Sequence, residues 1–309
     1  MHVAILCATR RGRLFLETVA KVLPDADLTV VSFHEEPWEP PFLDDIRRAA
    51  ESVGGRFFQA KQVGGPTLMP VWEETPIDLL FAVSWRYYVP ASVYRLARLG
   101  AYVYHDSLLP KFRGFSPTVW AMLEGETHTG ASLIEMAEGI DEGDLIAQRE
   151  IPIGPDETIA DVMENVTQAY LRLAEEYVSA LAMRPVARQR QDHSAATYCC
   201  KRIPDDNRID WAAPTRRVYD LIRATTAPYS GAFTTLDGRT LRIWSAQRVH
   251  PTRVSAGRVP GRVTAVHRGR GVEVLTGDGQ LLVTQVQFDG EAAAPAAEVI
   301  DRLSMTLGR

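Results

Sequence analysis

The chain has 309 residues, enough for one large or two medium domains, and its 46% hydrophobic and 24% charged content is that of an ordinary globular protein. A net charge of −5 argues against a dedicated nucleic-acid binder, and no apolar run approaches the roughly 18 residues a bilayer span needs. The N-terminus is too strand-like for a signal peptide. Cys7, Cys199 and Cys200 give neither a disulfide framework nor a metal-ligand spacing, so reduced thiols in a cytoplasmic setting are expected.

In chain order, residues 3–8 form a continuous apolar run ending in Thr9-Arg10-Arg11-Gly12, the pattern of a buried parallel strand and its turn. Helical spacing follows over 14–23, a strand over 28–33, a helix over 43–52 and a short strand near Phe57. Residues 77–84 read as another buried strand, 91–99 as a helix, 101–105 as the next strand and 118–123 as a helix with Pro117 near its start. Such alternation predicts an α/β fold, a doubly wound Rossmann-like parallel sheet with its site at the strand C-termini, where His105 falls. No G-x-G-x-x-G follows the first strand and no Walker loop occurs, which disfavours dinucleotide binding through that fingerprint and P-loop phosphotransfer.

Apolar runs at 131–136 and 145–151 flank Asp141, which lies between Gly139 and Gly143, where a tight bend can aim a carboxylate. A long helix is predicted over 158–182, opened by Asp156 and Glu157. The polar stretch 184–200 reads as a linker between a domain over 1–183 and a second over 201–309. The second domain opens on a helix over 216–224. Short alternating runs between turn pairs such as Asp237-Gly238 and Asp278-Gly279 then predict a small OB-like β-barrel, closed by an Ala-rich helix over 294–303. Charge divides with the domains. Through residue 200 there are 18 Lys and Arg against 28 Asp and Glu, and after it 16 against 11.

A His at a strand end and an Asp on a glycine-flanked loop are the parts of an acid–base pair, although each also has a plain reading, as a satisfied strand-end ring and a turn former. The residues around them decide between these. His105-Asp106-Ser107-Leu108-Leu109-Pro110-Lys111-Phe112-Arg113-Gly114, followed by Gly139-Ile140-Asp141-Glu142-Gly143-Asp144, resembles the signature of the folate-dependent formyltransferases. That superfamily includes methionyl-tRNA formyltransferase, the sugar N-formyltransferases, glycinamide ribonucleotide transformylase and the hydrolase domain of formyltetrahydrofolate dehydrogenase. The resemblance covers most of the chain, since the tail is similar to the C-terminal domain of methionyl-tRNA formyltransferase.

It implies an enzyme that moves the formyl group of N10-formyltetrahydrofolate to an amine, with no metal. Acyl transfer of this kind must stabilise charge on the formyl oxygen, take a proton from the amine and protonate the leaving nitrogen. His105 and Asp141 cover the donor and acceptor roles. By the same resemblance, the run 84–90 lines the folate pocket, with Trp85, Arg86 and Tyr88 as its contacts. Glu138 and Ile140 offer backbone groups to the pterin, and Ser107, Arg113 and Gly114 belong to a loop that orders the site or meets substrate. Ser107 taken alone reads as a turn hydroxyl bonded to backbone.

The family has Asn where this chain has Val103. Losing one oxyanion donor typically costs about 10²–10³ in rate. A backbone N–H or a water could replace it. Alternatively the reaction is hydrolysis, since the formyltetrahydrofolate dehydrogenase hydrolase domain is similarly aliphatic there, or the chain is a catalytically dead folate-binding module. The acceptor is expected to be a small amine, an aminosugar nucleotide or a hydroxyornithine-type amino acid. Methionyl-tRNA formyltransferases carry a basic insertion after the second strand, whereas residues 33–41 here hold Glu35, Glu36 and Glu39 and no Lys or Arg. The basic tail pulls more weakly toward tRNA.

Overall fold

The computed structural model describes residues 1–37, 39–249 and 255–309; Trp38 of the acidic stretch and residues 250–254 of the expected barrel lie outside it. Two compact units emerge. The first comprises Met1–Pro117, His128–Pro152 and Met163–Lys201, the second Thr118–Thr127, Ile153–Val162 and Arg202–Arg309.

The first unit is built as β1 (His2–Cys7), α1 (Thr9–Val22), β2 (Asp27–Ser32), α2 (Leu43–Ser52), β3 (Arg56–Gln59), α3 (Met69–Glu74), β4 (Leu79–Val83), α4 (Ala91–Tyr94), β5 (Gly100–His105) and β6 (Arg113–Gly114). Next in the chain is α5 (Pro117–Glu124), which from Thr118 on belongs to the second unit; the first resumes with β7 (His128–Glu135), β8 (Leu145–Pro152), α6 (Ile159–Met183, its first turn in the second unit) and β9 (Tyr198–Cys199). The main sheet runs β3-β2-β1-β4-β5-β7-β8. From β3 to β5 the pairs are parallel; β5–β7 and β7–β8 are antiparallel. The expected parallel sheet is therefore mixed. The two apolar runs beside Asp141 form a hairpin, which needs no crossover helix.

Burial on both faces explains the uninterrupted apolar strands. Ala4, Leu6, Leu80, Ala82 and Ala101 pack with Val63, Leu68, Trp72 and Val93. The alternate residue Phe81 meets Phe15 of α1, which also stands edge-on to Tyr104 at 4.7 Å. The strand order reverses at β1, with β2 on one side and β4 on the other; in open α/β sheets ligands bind outside the strand C-termini at such a switch point.

Two predicted helices are shorter than their composition implies. Beyond Tyr94 the N–H groups of Arg98 and Leu99 donate to Ile77 and Asp78 carbonyls, drawing the chain into β5 in place of a helix through 99. Near the C-terminus Ala294 and Pro295 pair with Val286 and Gln285 as a strand, leaving only four helical residues. The short α3, with Pro70 in its first turn, had no sequence forecast. Residues 184–201 cluster with the first unit and carry structure of their own: Leu145 and Gln189 exchange backbone hydrogen bonds of 2.8 and 2.9 Å, and β9 pairs with β6.

In the second unit α7 (Thr215–Thr225) precedes β10 (Ala232–Leu236), β11 (Arg239–Arg248), β12 (Val263–His267), β13 (Gly271–Leu275), β14 (Gln280–Phe288), β15 (Ala294–Pro295) and α8 (Ala296–Val299). The strands form an antiparallel sheet in the order β10-β11-β14-β13-β12, with β15 on β14. Among the described residues the expected smaller β domain consists of this antiparallel sheet. Its core gathers Val218 and Ile222 of α7 with Ile243, Val274, Val283 and Ile300.

Phe15 has no exposed surface and closes the aromatic cluster over β4 and β5. Phe15→Ala should destabilise the first unit by about 3–5 kcal/mol, read as a lower urea midpoint of tryptophan fluorescence.

Candidate active site

β5 ends in His105, whose ring is 6% exposed. Its Nε2 lies 2.8 Å from the carbonyl of Phe112. A carbonyl only accepts, so the proton sits on Nε2 and the ring orientation is fixed. Nδ1 then faces Oδ2 of Asp141 at 3.5 Å, and a proton on Nδ1 makes this an ion pair.

Asp141 is placed by its loop. Its φ is +52°, which Asp tolerates better than most residues, and Oδ2 accepts the Gly114 N–H at 2.8 Å. A Cβ at Gly143 would stand 1.7 Å from the Glu135 carbonyl oxygen, so only glycine fits where the loop returns to β8. Gly114, at φ +97°, brings its backbone against Cys199, whose carbonyl oxygen a Cβ would meet at 2.7 Å.

Among the described residues, five of the six non-glycine positions with positive φ lie in this unit: Thr9, Ser84, Phe112, Ser116 and Asp141. Thr9 and Ser84 follow β1 and β4. Phe112 and Asp141 hold the imidazole and the carboxylate.

Arg113 is completely buried. Its Nη2 and Nε donate to Oε1 of Gln191 at 2.7 and 3.3 Å, its Nη1 to the Tyr198 hydroxyl at 2.9 Å and Glu142 at 3.4 Å, and its Nη2 to Nδ1 of His193 at 3.1 Å. All its donors being engaged inside the protein, Arg113 orders the loop. Ser107 is likewise buried, its hydroxyl donating to the Lys111 carbonyl at 2.7 Å. Ser132, opposite His105 across β5–β7, donates to the Ser107 carbonyl and accepts from Gln148 Nε2 at 2.8 Å. Ser132, Gln148, Gln191 and Tyr198 carry no motif, and only the folded chain brings them here.

Val103, two residues before His105 and on the same face of β5, packs with Leu109, Ile134 and Leu145. Trp85 stands edge-on to Phe33 at 5.3 Å, and its indole N–H is buried without a partner among the described residues. Arg86 lies over the Phe33 ring at 4.8 Å and pairs with Glu39 at 2.7 Å. Tyr88 and Ile140 are 66% and 61% exposed, and the Glu138 side chain is also exposed. Asp141 thus meets both His105 and Gly114, while Arg113, next to Gly114, reaches the loop through Glu142 and Gln191. Trp85 and Arg86 form a separate cluster around Phe33.

The Cys199 thiol is pushed up to about 12, first by burial, then by Cys200 and the carboxylates of Asp106 and Asp141. Burial alone raises Cys7 to about 12.

Residues 2–177 match the formyl transferase family and residues 202–304 the formyl transferase C-terminal domain. The chain belongs to the formyltransferase family, enzymes of folate-dependent formyl transfer. It is 33% identical over 266 residues to methionyl-tRNA formyltransferase of Sorangium cellulosum, covering 81% of this chain and 84% of that one. To the same enzyme of Anaeromyxobacter dehalogenans it is 37% identical over 258 residues, 82% of this chain and 81% of the other. Solved structures share the fold. An N-formyltransferase from Helicobacter canadensis, in complex with folinic acid and dTDP-3-aminofucose, superposes with a TM-score of 0.70 at 15% identity over 91% of this chain and 98% of its own. HypX from Aquifex aeolicus with tetrahydrofolic acid gives 0.64 at 20% identity over 96% of this chain and 46% of that longer one.

Gly143→Ala should lower turnover at least tenfold while Gly257→Ala, with nothing within 4 Å of its added carbon, leaves it unchanged, as steady-state assays of both variants would read. Iodoacetamide at pH 8 should alkylate exposed Cys200 and spare Cys199 and Cys7, because a thiol titrating near 12 holds almost no thiolate there. Peptide mass spectrometry reads the three sites separately.

Proposed function

We propose that this chain transfers the formyl group of N10-formyltetrahydrofolate to a small-molecule amine in the cytoplasm. The observation that carries the transfer chemistry is the His105–Asp141 pair at the end of β5. The region through residue 183 supplies the catalytic domain, and residues 201–309 form a second domain after the 184–200 segment.

The residues present fit a flat, partly polar co-substrate. The buried indole N–H of Trp85, without a partner among the described residues, offers one hydrogen bond, and the exposed apolar surface of Tyr88 and Ile140 offers contact area. Backbone groups at Glu138 and Ile140, and Arg86 beside Trp85, complete the proposed contacts. The folate supplies the activated formyl carbon; the protein supplies position and protons. In its imidazolium form His105 keeps Nε2–H on the Phe112 carbonyl and presents Nδ1–H to the charge growing on the formyl oxygen. Asp141 accepts the proton from the attacking amine, directly or through water, and that proton passes to the folate nitrogen as its bond to the formyl carbon breaks. Val103 contributes apolar packing and no hydrogen bond, so oxygen stabilisation falls to His105 and to backbone N–H groups or water.

The acidic stretch after β2 supports a small acceptor. Glu35 accepts the Leu43 N–H, and Glu39 caps the Glu36 N–H while pairing Arg86, so these carboxylates are part of the loop's structure. The stretch itself offers a phosphate backbone no Lys or Arg, and the Arg86 guanidinium beside it is held by Glu39. Methionyl-tRNA is the second reading, favoured by the names of the relatives and by the basic excess after residue 200.

His105→Ala and Asp141→Asn should each lower turnover by about 10²–10⁴, with folate-analogue binding by calorimetry retained and the two losses non-additive. Enzyme incubated with the formyl donor alone should release formate slowly, and aminosugar nucleotides or hydroxyornithine should accelerate formyl loss. Rapid hydrolysis without any amine would assign the hydrolase role that Val103 permits. Acceleration only by charged initiator tRNA would assign the second reading, and folate binding with no turnover would mean a dead binding module.

A further inference from the structure

We infer that Gln191, in the stretch whose polarity reads as a linker, is a positioning residue for catalysis that holds Asp141 in its productive geometry. Gln191 is 4% exposed and uses its whole amide. Nε2 donates to the carbonyls of Asp141 at 2.8 Å and Gly143 at 2.7 Å, while Oε1 accepts the two hydrogen bonds from Arg113. The orientation of the amide is forced, since Arg113 has only donors and the two carbonyls only accept. One side chain therefore bridges the loop that carries the carboxylate to the buried guanidinium at β6, whose next residue, Gly114, donates to the same carboxylate.

This bridge acts where the backbone is least content. Asp141 sits at positive φ, and its carbonyl, together with that of Gly143 two residues on, is what Nε2 grips. The surroundings provide the stiffness. Gln189 is hydrogen-bonded to Leu145 on the strand that follows the loop, and Arg113 is fixed by Tyr198, Glu142 and His193. Releasing Nε2 leaves two carbonyls short of a donor and lets the Asp141 carboxylate drift from His105. A displacement of about 1 Å at a reacting group costs on the order of 10²-fold in rate.

The inference rests on the proton-acceptor role proposed for Asp141, and the test separates the two. Gln191→Glu keeps the length of the side chain and an acceptor for Arg113, but removes both donors to the loop. Gln191→Leu removes everything. We expect kcat of Gln191→Glu to fall about 10²-fold, with folate-analogue affinity and melting temperature near those of the parent. In an Asp141→Asn background the same substitution should have almost no further effect, because its only route to the rate is through that carboxylate. If Asp141→Asn proves fully active, the acceptor role fails. If Asp141→Asn is impaired but Gln191→Glu turns over like the parent, or loses the same factor in both backgrounds, the positioning role of Gln191 is wrong. A Gln191→Leu protein that melts early while Gln191→Glu remains folded and slow would still support it, since the intact fold then isolates the two donors.

Discussion

The site depends on a carboxylate held against the preference of its own backbone. Asp141 occupies left-handed space, its side chain tied to the Gly114 N–H and facing His105, and its carbonyl tied to Gln191. Neither partner is local: Gly114 is 27 residues away and Gln191 is 50. The loop therefore takes its shape only when β5, the β7–β8 hairpin and the chain beyond α6 are all in place. Gly143 adds a steric condition, because any side chain there would strike Glu135 on the opposite strand of the hairpin.

A buried guanidinium makes this arrangement all-or-none. Removing an arginine from water is tolerable only when its donors are satisfied. Arg113 meets that demand with Gln191, Tyr198, Glu142 and His193, three of them from the segment after α6. Taking away one partner leaves an unmet charge in the interior, so the network resists partial loosening. His105 is fixed from the other side, by the Phe112 carbonyl, and the 107–112 turn is itself stapled by Ser107 and Ser132. The fold and the proposed chemistry thus share the same hydrogen bonds.

Val103 shows how packing and chemistry compete at one position. On β5 it belongs to a small apolar group with Leu109, Ile134 and Leu145, for which a β-branched side chain is well suited. An amide there could donate to a developing oxyanion, but would also have to satisfy its other polar groups in that neighbourhood. Choosing valine places the burden on His105, whose ring keeps one nitrogen for structure and one for chemistry.

Much of this was legible in the sequence, for physical reasons. Strands buried on both faces must be uninterruptedly apolar, so β1, β2 and β4 announce themselves, and a glycine-flanked Asp signals a bend that only small neighbours allow. His105 and Asp141 could be picked out because their residue types and their motif context point to one chemistry. Helix lengths were less legible. Ala-rich or amphipathic composition favours helix at 91–99 and 294–303, yet backbone pairing with Asp78 and with β14 overrides it. The polar run around Gln191 carries no periodicity or motif, so nothing local separates a solvated linker from a buried clamp. Sequence by itself determined most of the elements and the family, and singled out His105 and Asp141 as a pair, because these follow from local patterns and residue chemistry. Tertiary structure alone decided that Arg113 is internal, that β7 and β8 run antiparallel and that Gln191 grips the Asp141 loop, since each depends on contacts between residues far apart in the chain.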